Sequence, residues 1–123
     1  MDSKTVTFVA IVCLIVGVLI LARIFGLVSA NKARAMAKQG AMLLDVRTVE
    51  EFRSGHVKGA INVPYQEVGG RIASLAPDKS TTVLVYCLSG GRSGIAKSVL
   101  RRLGYSEAHN LGSLRRAQRI VES

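Results

Sequence analysis

Tryptophan is absent, and the 123-residue chain carries only two cysteines, two prolines and eight acidic residues. Two cysteines exclude a disulfide-stapled scaffold and a cysteine-rich zinc module, and no metal site is expected. Cys13 lies inside an apolar run, where a thiol behaves as a small hydrophobe. Cys87 is therefore the single thiol of the remaining chain, with no resolving cysteine beside it. Aromatics are scarce too: beyond residue 26 there are Phe52, Tyr65, Tyr86 and Tyr105. Lysines and arginines are scattered rather than interleaved with them, so the net charge of +9 does not imply nucleic-acid binding. A hydrophobic content of 49% excludes a disordered chain.

The apolar residues are unevenly spread. Thr5 to Ala22 (TVTFVAIVCLIVGVLILA) holds 18 residues without a charge, bounded by Lys4 and Arg23. A helix needs about 20 apolar residues to cross a bilayer core of about 30 Å. Arg23 can snorkel, letting Ile24 to Val28 extend the span. The expectation is one transmembrane helix over residues 5–26, followed by a single domain over 27–123. A cleaved signal peptide is the competing reading, because Val28-Ser29-Ala30 resembles a cleavage site. Against it stand the length of the run, the interruption at Arg23 and a weak n-region. Arg23, Lys32, Arg34 and Lys38 outweigh Lys4 and the amino terminus, which places the domain on the cytoplasmic side. Without residues 1–26 the chain loses Lys4, Arg23 and Asp2, and its charge drops from +9 to +8. Such a surface suits anionic lipid or small anions.

Along the domain, ANKARAMAKQ (Ala30 to Gln39) predicts a helix closed by Gly40. Ala41 to Val46 predicts a buried strand, Thr48 caps a short helix with Glu50 and Glu51 in its first turn, and Ala60 to Val63 predicts a second strand. Tyr65, Val68, Ile72 and Leu75 share one helix face. Thr82 to Tyr86 is the strongest strand signal. Ile95, Val99, Leu100 and Leu103 form another helical stripe, His109 to Leu111 a last short strand, and Leu114 to Val121 a terminal helix. Alternating strands and helices imply an α/β domain with a small, mostly parallel sheet flanked by helices.

Between the best strand and the next helix lies Cys87-Leu88-Ser89-Gly90-Gly91-Arg92-Ser93. Ligands of open α/β sheets bind at the carboxyl ends of strands, where this loop falls. Gly90 and Gly91 let successive N–H groups turn inward as an anion nest. The helix beyond Arg92 adds positive potential, Arg92 adds a guanidinium, and Ser93 offers either a hydroxyl donor or an N-cap. A Cys87 thiolate in this cradle is a nucleophile aimed at anionic substrates. The bland alternative is a buried cysteine at a strand end with ordinary turn glycines. His56 and His109 read as structural histidines, and Asp45 with Arg47 as an internal ion pair.

AMLLDVRTVEEFRSGHVKGAINVP (41–64) together with CLSGGRS resembles a single-domain rhodanese. Phe52, His56, Val57, Gly59 and Ala60 match one family signature, Asp45-Val46-Arg47 another, and Leu103 to Tyr105 with Asn110-Leu111-Gly112 the C-terminal part. Leu27 to Ser29 aligns with the family's first short strand, which cleavage after Ala30 would delete. Lys58 and Gly112-Ser113 depart from common family residues. The resemblance implies a sulfurtransferase without a cofactor, in which Cys87 takes sulfane sulfur from thiosulfate as a persulfide and passes it to a thiol, a protein acceptor or cyanide. Leu88, Ser89, Gly90, Gly91, Arg92 and Ser93 would bind the donor. Related phosphatases place five residues between cysteine and arginine, against four here, so a Cys-dependent phosphatase or arsenate reductase is a minor alternative. A non-catalytic module binding anions or proteins is the other. The expected setting is a single-pass protein of a bacterial inner membrane with a cytoplasmic domain, a periplasmic or exported domain being the alternative.

Overall fold

The computed structural model describes the backbone of residues 1–123 and all side chains except those of 22–25. The expected snorkelling of Arg23 lies outside the described residues. Helix α1 runs from Ser3 to Phe25. Within it, Ser3–Leu21 has a mean hydropathy of 2.6 and is unburied by the rest of the chain, long and apolar enough to cross a membrane. The helix ends within a residue of the expected boundary at 26, and Leu27 and Val28 do not extend it. Gly26 turns the chain with φ +56°, and Leu27 enters a parallel bridge with Asn110. The first strand of the alignment is thus a single bridge, extended by the Val28 N–H donating to the Asn110 carbonyl at 3.0 Å.

Ser29 caps α2 (Ala30–Lys38), its hydroxyl accepting from the Lys32 N–H, and Gly40 follows the helix. Strand β1 (Met42–Asp45) leads to α3 (Val49–Arg53) and to β2, which spans only Ile61–Asn62. The helix expected from Tyr65 divides into a 3₁₀ turn (Tyr65–Glu67) and α4 (Val68–Leu75). Pro64, lacking an N–H, stands at the start of the tighter turn. Strand β3 (Val83–Cys87) precedes α5 (Gly91–Arg102), and β4 (Ala108–Ser113) precedes α6 (Leu114–Val121).

The sheet is wholly parallel, in the order β2-β1-β3-β4. Alternation along β3 divides the core. Val83, Val85 and Cys87 face Ile72, Ala96 and Leu100, while Leu84 and Tyr86 face Ala33, Ala117 and Ile120. Both faces are thus covered by helices, which is why these strands read as continuous apolar runs. The expected stripe of α5 is corrected: its buried residues are Ser93, Ala96 and Leu100, whereas Ile95 is 52% exposed. Small side chains let α5 approach the sheet closely, and a count of apolar residues overlooks them.

Two cations hold the connection after α1. Lys97 Nζ donates to the Gly26 carbonyl at 2.9 Å. Arg116 donates to the carbonyls of Leu111 at 2.7 Å and Val28 at 2.5 Å. Asp45 and Arg47 form the expected buried pair, Nη2 to Oδ2 at 2.7 Å. His56 stacks on Phe52, its Nδ1 2.9 Å from the Phe52 carbonyl. His109 pairs with Glu107 at 2.9 Å.

Candidate active site

Cys87 ends β3, the most buried strand, so its sulfur is delivered to the carboxyl edge of the sheet. The chain must then reverse within three residues to begin α5. Gly90 makes that possible with φ +106°, a left-handed conformation that costs glycine little. The reversal aims the Gly90 N–H at Cys87 Sγ, 2.9 Å away. The helix begins at Gly91 rather than beyond Arg92, and its N-cap is Gly90. Ser93 is therefore not the cap. It occupies the first turn, fully buried, with Oγ 3.4 Å from Cys87 Sγ, 3.1 Å from the Gly90 carbonyl and 3.5 Å from the Gly112 carbonyl. One hydroxyl hydrogen serves one acceptor at a time, so a charged sulfur can draw it in.

Burial alone would push the Cys87 thiol up. Hydrogen bonds from the Ser93 hydroxyl and from the backbone of Ser93, Gly90 and Ser89 outweigh it and hold the thiol below its ordinary value. The sequence-predicted residues divide accordingly. Ser89, Gly90 and Ser93 meet the sulfur, and Gly91 opens the helix. The Leu88 side chain is 57% exposed. Arg92 does not stand free for an anion: its two terminal nitrogens bind Glu51 Oε1 at 2.7 Å and Oε2 at 3.0 Å.

Glu51 is the residue that sequence reasoning missed. Its Oε1 also accepts the Thr48 N–H at 3.1 Å, while the Thr48 hydroxyl accepts the Glu51 N–H at 3.1 Å. This capping box already accounts for a glutamate three residues after a threonine, leaving nothing in the sequence to suggest a second partner. The Arg92 hydrogen bonds, followed by that of Thr48, bring the Glu51 carboxyl from the usual 4.5 to about 2. A depressed carboxyl stabilises the fold above its unfolded pKa, and that stabilisation fades as pH falls from about 4.5 towards about 2. Glu51→Gln is expected to cost about 1–2 kcal/mol at pH 7, as befits a half-buried bidentate pair, and to flatten unfolding stability between pH 5 and 3. Chemical unfolding of both proteins across that range checks it; parallel pH profiles would contradict it.

A second missed residue is Asn110. Its Nδ2 donates to the Gly90 carbonyl at 3.2 Å and its Oδ1 accepts the Gly112 N–H at 2.8 Å. Pairing between β3 and β4 shifts here, from Val85 with Asn110 to Tyr86 with Gly112. This bulge seats Gly112, with φ +89°, against the backbone of Gly90.

Comparison with known proteins agrees with this architecture. The family described as "Rhodanese-like domain" matches residues 29–115. The thiosulfate sulfurtransferase PspE of Escherichia coli is 49% identical over 72 residues, covering 58% of this chain and 69% of that protein. The chloroplastic thiosulfate sulfurtransferase 16 of Arabidopsis thaliana is 40% identical over 89 residues, covering 64% of this chain and 74% of the relative. Among solved structures, an E. coli rhodanese with anions superposes with a TM-score of 0.61 at 45% identity, over 63% of this chain and 91% of that one. The human single-domain sulfurtransferase TSTD1 superposes with a TM-score of 0.65 at 29% identity, over 76% and 96% respectively. A parallel sheet with helices on both faces, a cysteine loop at its carboxyl edge and a family match spanning most of the chain lead to one assignment: the chain belongs to the rhodanese-like domain family.

Proposed function

We propose that this protein is a rhodanese-type sulfurtransferase that carries sulfane sulfur on Cys87. The observation that carries the reading is the Cys87 sulfur receiving the Gly90 N–H at 2.9 Å and the Ser93 hydroxyl at 3.4 Å at the mouth of a helix. Relatives named thiosulfate sulfurtransferase support it. In the first half-reaction, the Cys87 thiolate attacks the outer sulfur of thiosulfate. The new Cys87 S–S bond forms as the bond to the sulfonate sulfur breaks, and sulfite departs with that electron pair. In the second, a thiolate or cyanide attacks the outer sulfur of the persulfide, and Cys87 leaves as thiolate. No proton is needed in either step, and the sulfur supplies its own electrons, so the chemistry calls on no metal or cofactor.

The residues divide the labour. The N–H groups of the loop Leu88 to Arg92, already turned inward at Gly90, hold negative charge on the attacking sulfur, on the persulfide and on the departing sulfite. The Ser93 hydroxyl turns to whichever sulfur is charged. Arg92 is neutralised by Glu51 in a bidentate pair, so the potential that draws the dianionic donor comes from the loop amides and the helix N-terminus. The physiological donor is a small sulfane-sulfur anion of the thiosulfate type, and the acceptor is a thiol, free or on a protein.

Residues 5–26 carry the domain of residues 27–123 as a membrane anchor, in this reading with the domain facing the cytoplasm of a bacterium. The hydropathy of Ser3–Leu21 supports the anchor. The Leu27–Asn110 bridge and the Ser29 cap argue against removal of the segment, since a cut after Ala30 would destroy both.

The test starts from membranes washed with alkaline carbonate, from which the full chain is extracted in detergent and weighed intact before and after thiosulfate. The expected result is retention in the washed membranes and a gain of one sulfur, about 32 Da, discharged by cyanide. Loading should rise with pH to a plateau reached below the ordinary thiol range near 8.5. A folded, reduced protein that gains no mass would refute sulfur transfer from thiosulfate, and release by carbonate would refute the anchor.

A further inference from the structure

Leu27 sits one residue beyond the turn that ends the apolar helix, yet it is built into the back of the cysteine loop. Two independent contacts place it there. Its backbone pairs with Asn110, whose carboxamide holds the Gly90 carbonyl at 3.2 Å and the Gly112 N–H at 2.8 Å. Its side chain packs behind Gly112 so closely that a Cβ on that glycine would fall 2.9 Å from Leu27 Cδ2. Gly112 in turn lies against Gly90: a Cβ built on Gly90 would meet Gly112 Cα at 3.4 Å. Gly90 is the residue whose N–H reaches the sulfur.

From Leu27 to Cys87 the contact thus runs through the Leu27 side chain and two glycine backbones, Gly112 and Gly90. The outer contact is made by the Leu27 methyls, the inner one by the glycine backbones, and the Asn110 carboxamide braces both glycines. Arg116 holds the next residue through the Val28 carbonyl at 2.5 Å, which limits the movement of the Leu27 backbone.

We propose that Leu27 is a positioning residue for the Cys87 sulfur, acting through Gly112 and Asn110 on the orientation of the Gly90 amide. The segment joining the anchor to the domain is thereby part of the active-site scaffold. The proposal deepens the function proposed above and rests on its reading of Cys87 as a stabilised thiolate. A Gly90 N–H turned away from Sγ would remove the backbone donor that lies 2.9 Å from the thiolate, and the thiol would ionise at higher pH.

The experiment uses the full chain in detergent, in a Cys13→Ser background so that Cys87 is the only thiol. The ultraviolet absorbance of the thiolate is titrated against the matching Cys87→Ser protein, which removes the tyrosine signal. Leu27→Ala is expected to raise the midpoint by about half to one pH unit, so that the thiolate population at pH 7 falls about three- to tenfold. Sulfur loading at pH 7 should fall by the same factor and recover at alkaline pH. Leu27→Met, which restores the bulk behind Gly112, should return the midpoint to that of the parent. Circular dichroism establishes that each variant is folded. If Leu27→Ala does not fold, Leu27→Val decides by the same upward shift. An unmoved midpoint in the folded variant overturns the proposal, leaving Leu27 as packing alone. The titration reads the thiolate without any sulfur donor. An absence of loading in the parent protein would therefore count against the proposed reaction while the midpoint comparison still judged Leu27.

Discussion

Cys87→Ser is expected to keep its fold and lose sulfur loading by at least about 10³-fold, to below detection by intact mass. Oxygen is smaller than sulfur, and the Gly90 N–H keeps an acceptor at the strand end, so no buried donor is orphaned. Thermal unfolding should therefore move by a few degrees at most. Chemistry changes far more. The serine hydroxyl stays protonated at any pH the fold survives, and the loop contains no general base within its hydrogen-bonded set to ionise it. The comparison is intact mass after thiosulfate, with and without cyanide. A retained gain in the variant would show that Cys87 is not the carrier. If that gain vanished on adding Cys13→Ser, the sulfur would lie on the apolar helix.

The second large effect concerns stability. Arg47→Leu is expected to cost about 3–5 kcal/mol, the usual result of removing one partner of a buried ion pair. Asp45 is wholly buried and receives from Arg47 four contacts of 2.7–3.1 Å, one of them from the backbone N–H. Arg47 Nη2 also donates to the Gly55 carbonyl at 2.7 Å, and the guanidinium lies 5.8 Å from the Tyr86 ring centroid. The leucine variant leaves a buried carboxylate without its countercharge, held by the residue 47 backbone N–H and the Tyr86 hydroxyl. For a domain of this size the loss lowers Tm by roughly 15–30 °C. The double variant Asp45→Leu with Arg47→Leu should be more stable than Arg47→Leu alone, because the uncompensated charge is gone. A single variant within a few degrees of the parent would contradict the account.

Much of this architecture was legible because its signals are local. The β-branched run before Cys87 could be little but a central strand, and Leu114–Val121 is bounded as expected because Ser113 supplies its own cap. The cysteine loop announced itself by glycine, arginine and hydroxyl residues at a strand end. What escaped was set by residues distant in sequence. Glu51 is 41 positions from Arg92, and its capping role hid its second partner. Asn110 reaches Gly90 across 20 positions, by way of a bulge that no periodicity predicts. Of the two roles open to Ser93, hydroxyl donor and N-cap, only the first is found, because the position of an N-cap depends on where the chain turns, and Gly90 turns it earlier. The α5 stripe found Leu100 but missed the rest of the core face, because serine and alanine form it. Apolar periodicity finds where bulk is buried, whereas close approach is made by residues that have none.

The two cations on the connection, Lys97 at Gly26 and Arg116 at Val28, have a mechanical consequence. A flexible tether of about 20 residues would let a domain wander roughly 25 Å from its attachment. Here the leash has almost no free length between the apolar helix and the first paired residue, Leu27. With that helix in a bilayer, as proposed, the mouth of the loop would sweep a thin, fixed layer of space above the lipid. Acceptors embedded in the same membrane would meet it by lateral diffusion in two dimensions, already at the right height, while partners free in solution would have to descend to it.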